Sequence, residues 1–181
     1  MQNKRREIDN KIQRDNLIFE NLLKVKEFVN AKAVLCYASL EDEINTDSII
    51  NFALSYGKIT ALPKCLNNKG IMSFHSITSL NELKIGSFGI REPVNSKTDF
   101  TDFGNSVVIV PALCCSPDGY RLGYGGGYYD RFLADYTGTS ICLCYDSLIT
   151  DEVIRGKFDI AVDIIVTDSR VIHIQNGGKN G

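Results

Sequence analysis

The chain has 181 residues, 44% hydrophobic and 23% charged, with a formal net charge of −2. This composition fits one globular domain spanning residues 1–181, large enough for a core and a ligand cleft, and excludes disordered and fibrous classes. The lack of a basic stripe argues against nucleic acid as a partner, and no apolar run reaches bilayer length.

The first expected element is an amphipathic helix over Arg5–Asn30, in which Ile8, Ile12, Phe19, Leu22, Leu23 and Phe28 recur at helical spacing. The basic cluster Lys4, Arg5 and Arg6 reads as a solvated helix end. Met1–Arg14 lacks the apolar core of a signal peptide, so a cytoplasmic protein is expected. Ala33–Ser39 is a nearly continuous apolar run, the pattern of a strand buried on both faces. An acidic turn, Glu41-Asp42-Glu43, follows it. Thr46 or Asp47 is then placed to cap a helix carrying Ile49, Ile50, Phe52 and Leu54, which stops at Gly57.

A second strand is expected over Ile59–Leu62, ending at Pro63, and an alternating edge strand over Ile71–Ile77. Asn81–Phe103, with scattered Gly, Pro and Asp, reads as a short helix and a long surface loop. Val107–Pro111 is the clearest central strand. It leads through the turn Ser116-Pro-Asp-Gly119 to a glycine-rich segment, a helix over Tyr128–Tyr136 and a strand over Ser140–Tyr145. Asp163–Thr167 and Val171–Ile174 are the last strands, before a polar tail expected to be mobile. Strands alternating with helices predict an α/β fold, a three-layer α/β/α arrangement with a mostly parallel central sheet. Ligands in such sheets bind beyond the strands' carboxyl ends, which selects Glu41–Glu43 and the loop after Val110.

Six cysteines, none in a CxxC pair, read as reduced core residues. His75 and His173 are the only histidines, so a zinc site has few candidate ligands. His75, on the alternating strand, reads as a surface or core-edge residue.

The segment Arg121 to Asp130, R-L-G-Y-G-G-G-Y-Y-D, carries the chemistry. Gly123, Gly125, Gly126 and Gly127 allow close backbone approach to a ligand, and the loop opens a helix whose free N–H groups favour an anion. Arg121 adds a charge suited to phosphate, Asp130 a carboxylate suited to magnesium, and Tyr124, Tyr128 and Tyr129 flat faces for a heterocycle. No Lys-Ser/Thr pair follows the glycines, so this is not a P-loop. On the residues alone, Glu41–Glu43 read as a solvated capping turn, and Asp159 and Asp163 as strand-entry surface residues.

V-P-A-L followed by D-G-x-R-L-G-Y-G-G-G-Y-Y-D resembles the signature of 5-formyltetrahydrofolate cyclo-ligases. Ala31–Thr46, Gly57–Lys64 and Phe158–Thr167 resemble three further blocks of that family in order, so the likeness runs from about Ile18 to Ile174. The resemblance implies ATP-dependent cyclisation of 5-formyltetrahydrofolate to 5,10-methenyltetrahydrofolate with magnesium, by a monomer. It implies that Arg121, Leu122, Gly123, Tyr124, Gly125, Gly126, Gly127, Tyr128 and Tyr129 bind ATP, with Tyr124 to Tyr128 also touching the folate. Arg121 and Tyr128 would be catalytic, Asp130 and Asp159 would sit at magnesium, Glu43 would hydrogen-bond the pterin, and Ala38 would line its pocket. The family's N-terminal helix carries a Lys and, four residues later, an Arg that reach the ATP phosphates. Here Lys4 is followed at that spacing by Ile8. Either the element is absent or Lys4, Arg5 and Arg6 replace it in a shifted register. The alternative function is therefore a folate- or nucleotide-binding module with reduced or no turnover.

Overall fold

The computed structural model of the chain describes residues 2–67, 70–86, 89–94 and 99–175. The expected N-terminal helix is three helices: α1 (Gln2–Arg6), α2 (Lys11–Leu22) and α3 (Lys26–Asn30). The first break is at Asn10, whose backbone is left-handed at φ 54°, a conformation asparagine tolerates and a right-handed helix does not. The second is a tight turn in which the Val25 N–H donates to the Leu22 carbonyl at 3.0 Å. These breaks let Ile18, Leu22 and Phe28 all point inward, whereas Ile12 of the same periodic stripe is 80% exposed.

Strand β1 (Ala33–Leu35) is shorter than its apolar run, although residues through Ala38 stay buried. Helix α4 (Asp47–Ser55) follows Thr46, but that hydroxyl donates to the Tyr37 carbonyl at 2.6 Å instead of capping the helix. Gly57, at φ 69°, supplies the stop. Strand β2 (Ile59–Asn67) runs on through Pro63, beyond its expected end. The reason is local: past Ala61 it pairs only with β3 (Ile71–Ile77), so proline's missing N–H breaks no ladder on the β1 side.

The expected loop over Asn81–Phe103 contains a capped 3-10 turn and a small hairpin, β4 (Leu83–Ile85) with β5 (Arg91–Pro93). Strands of three residues are too short to show a period in sequence. Residues 87, 88 and 95–98 of that segment, and the polar tail 176–181, lie outside the described residues. The remaining elements are β6 (Ser106–Val110), β7 (Cys114–Cys115), β8 (Arg121–Leu122), α5 (Tyr128–Asp135), β9 (Thr139–Leu143), β10 (Ile164–Val166) and β11 (Val171–His173).

The main sheet has seven strands in the order β11-β10-β9-β6-β1-β2-β3. Its five central strands are parallel and the two edge pairings are antiparallel. Helices α2, α3 and α4 form one layer, joined where Phe52 meets Phe19 and Phe28. Helix α5 packs elsewhere, its Phe132 against Phe74 and Phe103. The α/β/α expectation therefore holds. From β1 the chain moves to β2 on one side and later to β6, β9 and β10 on the other. The topological switch lies between β1 and β6, where adjacent crossovers diverge and leave a crevice.

Cys36, Cys114, Cys115, Cys142 and Cys144 are buried free thiols and Cys65 is half-buried. His75 is buried, its Nε2 beside Ser73 Oγ (2.7 Å) and Asp99 Oδ1 (3.3 Å), because residues 99–100 close over β3.

Candidate active site

A cavity of about 550 Å³ opens at the carboxyl ends of the strands, over the switch point. One side is the segment after β1, with Ala38 and Glu43. A second is Pro63, Cys65 and Met72 of the β2–β3 pair, with Ile90 and Glu92. The third is the whole stretch from Arg121 to Asp130. Every loop residue expected to contact ligand thus lines one space with Ala38 and Glu43. Asp159 does not line it.

The loop's shape follows from its glycines. Gly125 (φ 84°) and Gly127 (φ 65°) are left-handed, and Gly127 is the residue from which α5 starts. Arg131, one turn into α5, donates to the Gly126 carbonyl at 2.9 Å and so holds the loop against its own helix. The N–H groups of Gly123 to Gly127 donate to no described backbone carbonyl. They lead directly into the start of α5, an arrangement that favours anions.

The side chain of Arg121 is 5% exposed. Its Nη1 donates to the Ile160 carbonyl (2.8 Å) and its Nη2 to Asp130 Oδ1 (3.1 Å), which also accepts the Ile160 N–H at 3.1 Å. These bonds tie the loop to the C-terminal block and bring position 159 next to Asp130. Asp130 Oδ2 has no hydrogen-bond partner among the described residues, so one carboxylate oxygen beside the cavity stays free for a cation. Asp159 Oδ2 accepts the Gly156 N–H at 2.7 Å. No cluster of three or more His, Cys, Asp or Glu is present among the described residues. A magnesium ion bound through one or two carboxylates and substrate phosphates needs none, so the donors fit that ion. The buried hydroxyl of Tyr129 has no partner among the described residues, an unsatisfied donor in the cavity lining.

Arg5 is 4% exposed, not the solvated helix end that its basic cluster suggested. It reaches from α1 to Asp42 Oδ2 (2.9 Å), the Tyr124 hydroxyl and the Ala112 carbonyl (3.4 Å), and lies 4.0 Å from Glu43 Oε1. Burial works against its charge, but Asp42 and Tyr124 hold the guanidinium above its ordinary pKa. Asp42, despite partial burial, is held below the ordinary aspartate range by Arg5 and Arg6. Burial raises Glu43, although the Leu40 N–H (2.8 Å) and Arg5 oppose the rise.

The two carboxylates contribute to folding stability with opposite pH dependences. Asp42, lowered in the fold, adds stability that is complete above the ordinary aspartate range and is lost as pH falls through its lowered value. Glu43, raised in the fold, contributes stability at low pH that is lost as pH rises through its raised value. Docking of helix α1 rests on the pairing of Arg5 with ionised carboxylates, so α1 is expected to loosen as pH falls through the lowered Asp42 value. Hydrogen exchange at Glu7 and Ile8, whose N–H groups donate to the Asn3 and Arg5 carbonyls, should quicken below that titration after correction for its intrinsic pH dependence; a flat profile would contradict the assignment.

Sequence reasoning did not anticipate Cys65, Met72, Ile90 and Glu92 as lining residues, because the β2–β3 pair and the β4–β5 hairpin meet only in the fold. For Arg5 the one available signal was its place in the chain's single basic cluster.

A sequence model of the 5-formyltetrahydrofolate cyclo-ligase family matches residues 1–168. A probable 5-formyltetrahydrofolate cyclo-ligase of Caenorhabditis elegans is 32% identical over 86% of this chain and 82% of its own. The 5-formyltetrahydrofolate cyclo-ligase of Escherichia coli K12 is 28% identical over 79% of this chain and 81% of its own. The solution structure of Aquifex aeolicus 5,10-methenyltetrahydrofolate synthetase superposes with a TM-score of 0.83 at 28% identity, covering 99% of this chain and 92% of that one.

Proposed function

The chain belongs to the 5-formyltetrahydrofolate cyclo-ligase family, and we propose that it performs that family's ATP-dependent ring closure in the cavity over the switch point. The reaction converts 5-formyltetrahydrofolate and ATP to 5,10-methenyltetrahydrofolate, ADP and phosphate. The observation that carries this reading is the placement of the R-L-G-Y-G-G-G-Y-Y-D loop as a wall of a cavity large enough for both substrates' reacting ends. The alternative, a module without turnover, finds no support in the relatives.

The formyl oxygen cannot leave as hydroxide from a neutral amide. Transfer of the γ-phosphoryl group to that oxygen makes it a phosphate ester. N10 then attacks the formyl carbon, the carbon–oxygen bond breaks toward phosphate, and the N10 proton is lost. Such catalysis is mainly positioning and charge stabilisation. In our reading the free N–H groups from Gly123 to Gly127 and the start of α5 hold the phosphates, with Leu122 and Tyr129 completing the nucleotide side. Arg121, fixed between Ile160 and Asp130, supplies a rigid positive charge at the loop's base. Tyr124 to Tyr128 contact both substrates, with Tyr128 beside the reacting groups. Glu43 and Ala38 meet the pterin. Asp130 and Asp159 would hold a magnesium ion, which when bound neutralises charge on the transferred phosphoryl group. The same reading makes the protein a single-domain cytoplasmic monomer, in keeping with six free thiols suited to a reducing compartment.

The assay is direct. Mixed with ATP, magnesium and 5-formyltetrahydrofolate, the protein is expected to generate the methenyl chromophore with one ADP per product, and a chelator is expected to stop it. Absence of product from protein that still binds the folate would sink the reading.

A further inference from the structure

The wall of the cavity formed by β2, β3 and β5 carries an ionisable group that the chemistry above does not use. Glu92, the middle residue of β5, is 8% exposed and lines the cavity beside Pro63, Met72 and Ile90. Its Oε1 accepts the Cys65 N–H at 3.3 Å, a long bond. No Lys, Arg or His among the described residues pairs with it. A carboxylate removed from water without a cation is costly to the fold, and proteins keep such groups chiefly where a ligand completes them. Its surroundings suit a flat ring: apolar side chains for the faces and one carboxylate at the edge. A carboxylate has about four lone-pair positions; the Cys65 N–H takes one and the Cys65 thiol a second, which leaves about two for a ligand.

We propose that Glu92 is a substrate-recognition residue that accepts paired hydrogen bonds from the donor edge of the reduced pterin, its ring N3–H and 2-amino group. The inference rests on the cyclo-ligase reading. That edge presents two N–H bonds side by side, as a guanidinium does, and so fits both oxygens of one carboxylate. Glu43 is less free to take the whole edge. Each glutamate has one oxygen on a main-chain N–H, but Glu43 also has Arg5 at 4.0 Å from its Oε1 and a bond with the Tyr124 hydroxyl, whereas no cation among the described residues stands by Glu92. Glu43 is left for a different donor of the same substrate.

The test compares wild type with Glu92→Gln on 5-formyltetrahydrofolate and on its analogue lacking the 2-amino group. Loss of a charge-assisted bond should raise the KM for 5-formyltetrahydrofolate roughly 10- to 100-fold in Glu92→Gln. The KM for ATP should stay within about twofold, since Glu92 is assigned no contact with the nucleotide. Wild type should discriminate strongly against the analogue, and Glu92→Gln should lose most of that discrimination. Melting should be unchanged or higher, because a neutral isostere removes a buried unpaired charge. Gly86→Ala gives an independent arm. A Cβ at that exposed turn would lie 2.5 Å from Glu92 Oε2 and displace the carboxylate while keeping its charge, so the folate KM should again rise alone.

Equal discrimination by wild type and Glu92→Gln would overturn the proposal, as would parallel changes in both KM values. Calorimetry of wild type with 5-formyltetrahydrofolate separates the two levels of inference. No binding there removes the cyclo-ligase reading and this one with it, whereas binding with unaltered discrimination removes only the role of Glu92.

Discussion

Arg5→Ala is expected to destabilise the protein by about 2–4 kcal/mol and to raise the KM for both substrates roughly tenfold. The guanidinium joins α1 to three other segments at once: the acidic turn through Asp42, the glycine loop through Tyr124, and the strand exit after β6 through the Ala112 carbonyl. Alanine leaves Glu43 without its cation and Asp42 with only the exposed Arg6 at 3.5 Å, and the cost comes from those weakened pairings more than from the lost bonds. Asp42 keeps 21% of its side chain exposed, which places the expectation below the full cost of a sealed pair. Tyr124 also loses its anchor, so the loop samples more conformations and both ligands meet a less organised wall. Arg5→Lys should recover little, since one ammonium cannot span the three acceptors that a planar fork reaches. Thermal denaturation with steady-state kinetics decides it. Unchanged melting and unchanged KM values would show that α1 contributes nothing to the site.

Asp130 carries the second large effect, and the structure dictates how to measure it. Asp130→Ala removes the acceptor of both Arg121 and the Ile160 N–H, leaving a buried guanidinium with only the Ile160 carbonyl. About 1.5–3 kcal/mol of stability should go with it. Turnover should fall further, by roughly 10²–10³-fold, if the carboxylate also organises charge at the transferred phosphoryl group. Asp130→Asn separates the two roles. The amide oxygen can still accept from both donors, so stability should largely return, whereas the charge that would hold magnesium is gone. Low turnover with near-normal melting, and a magnesium requirement shifted to higher concentration, is the expected pattern. Asparagine protein that turns over normally would end the assignment to magnesium and leave Asp130 a purely structural tie.

Much of the frame was legible in the order of residues because it depends on local patterning. Val107 to Val110 is apolar at every position, so it can only be a strand buried on both faces, and it lies at the sheet's centre. Ile71–Ile77 alternates and is an edge strand. The glycine loop was equally readable, since four glycines, an arginine and an aspartate at a helix start constrain backbone and charge together. Where one residue overrode a long pattern, the pattern misled. Asn10 interrupts the single helix that the apolar stripe predicts, and Pro63 sits inside a strand that it was expected to end.

The sequence alone determined the class of sheet, the loop, and the tyrosines and two of the carboxylates, Glu43 and Asp130, that line the cavity. Only the tertiary structure decided which charges those groups share. Whether Arg5 is solvated or sealed depends on residues 37, 107 and 119 positions away, and no periodicity encodes such a meeting. The same holds for Glu92, whose burial depends on a short hairpin folding over β2 and β3. Local propensity acts over a few neighbours, whereas burial and ion pairing are set by the packing of the whole chain. The floor of this site could therefore be read along the chain, and its walls could not.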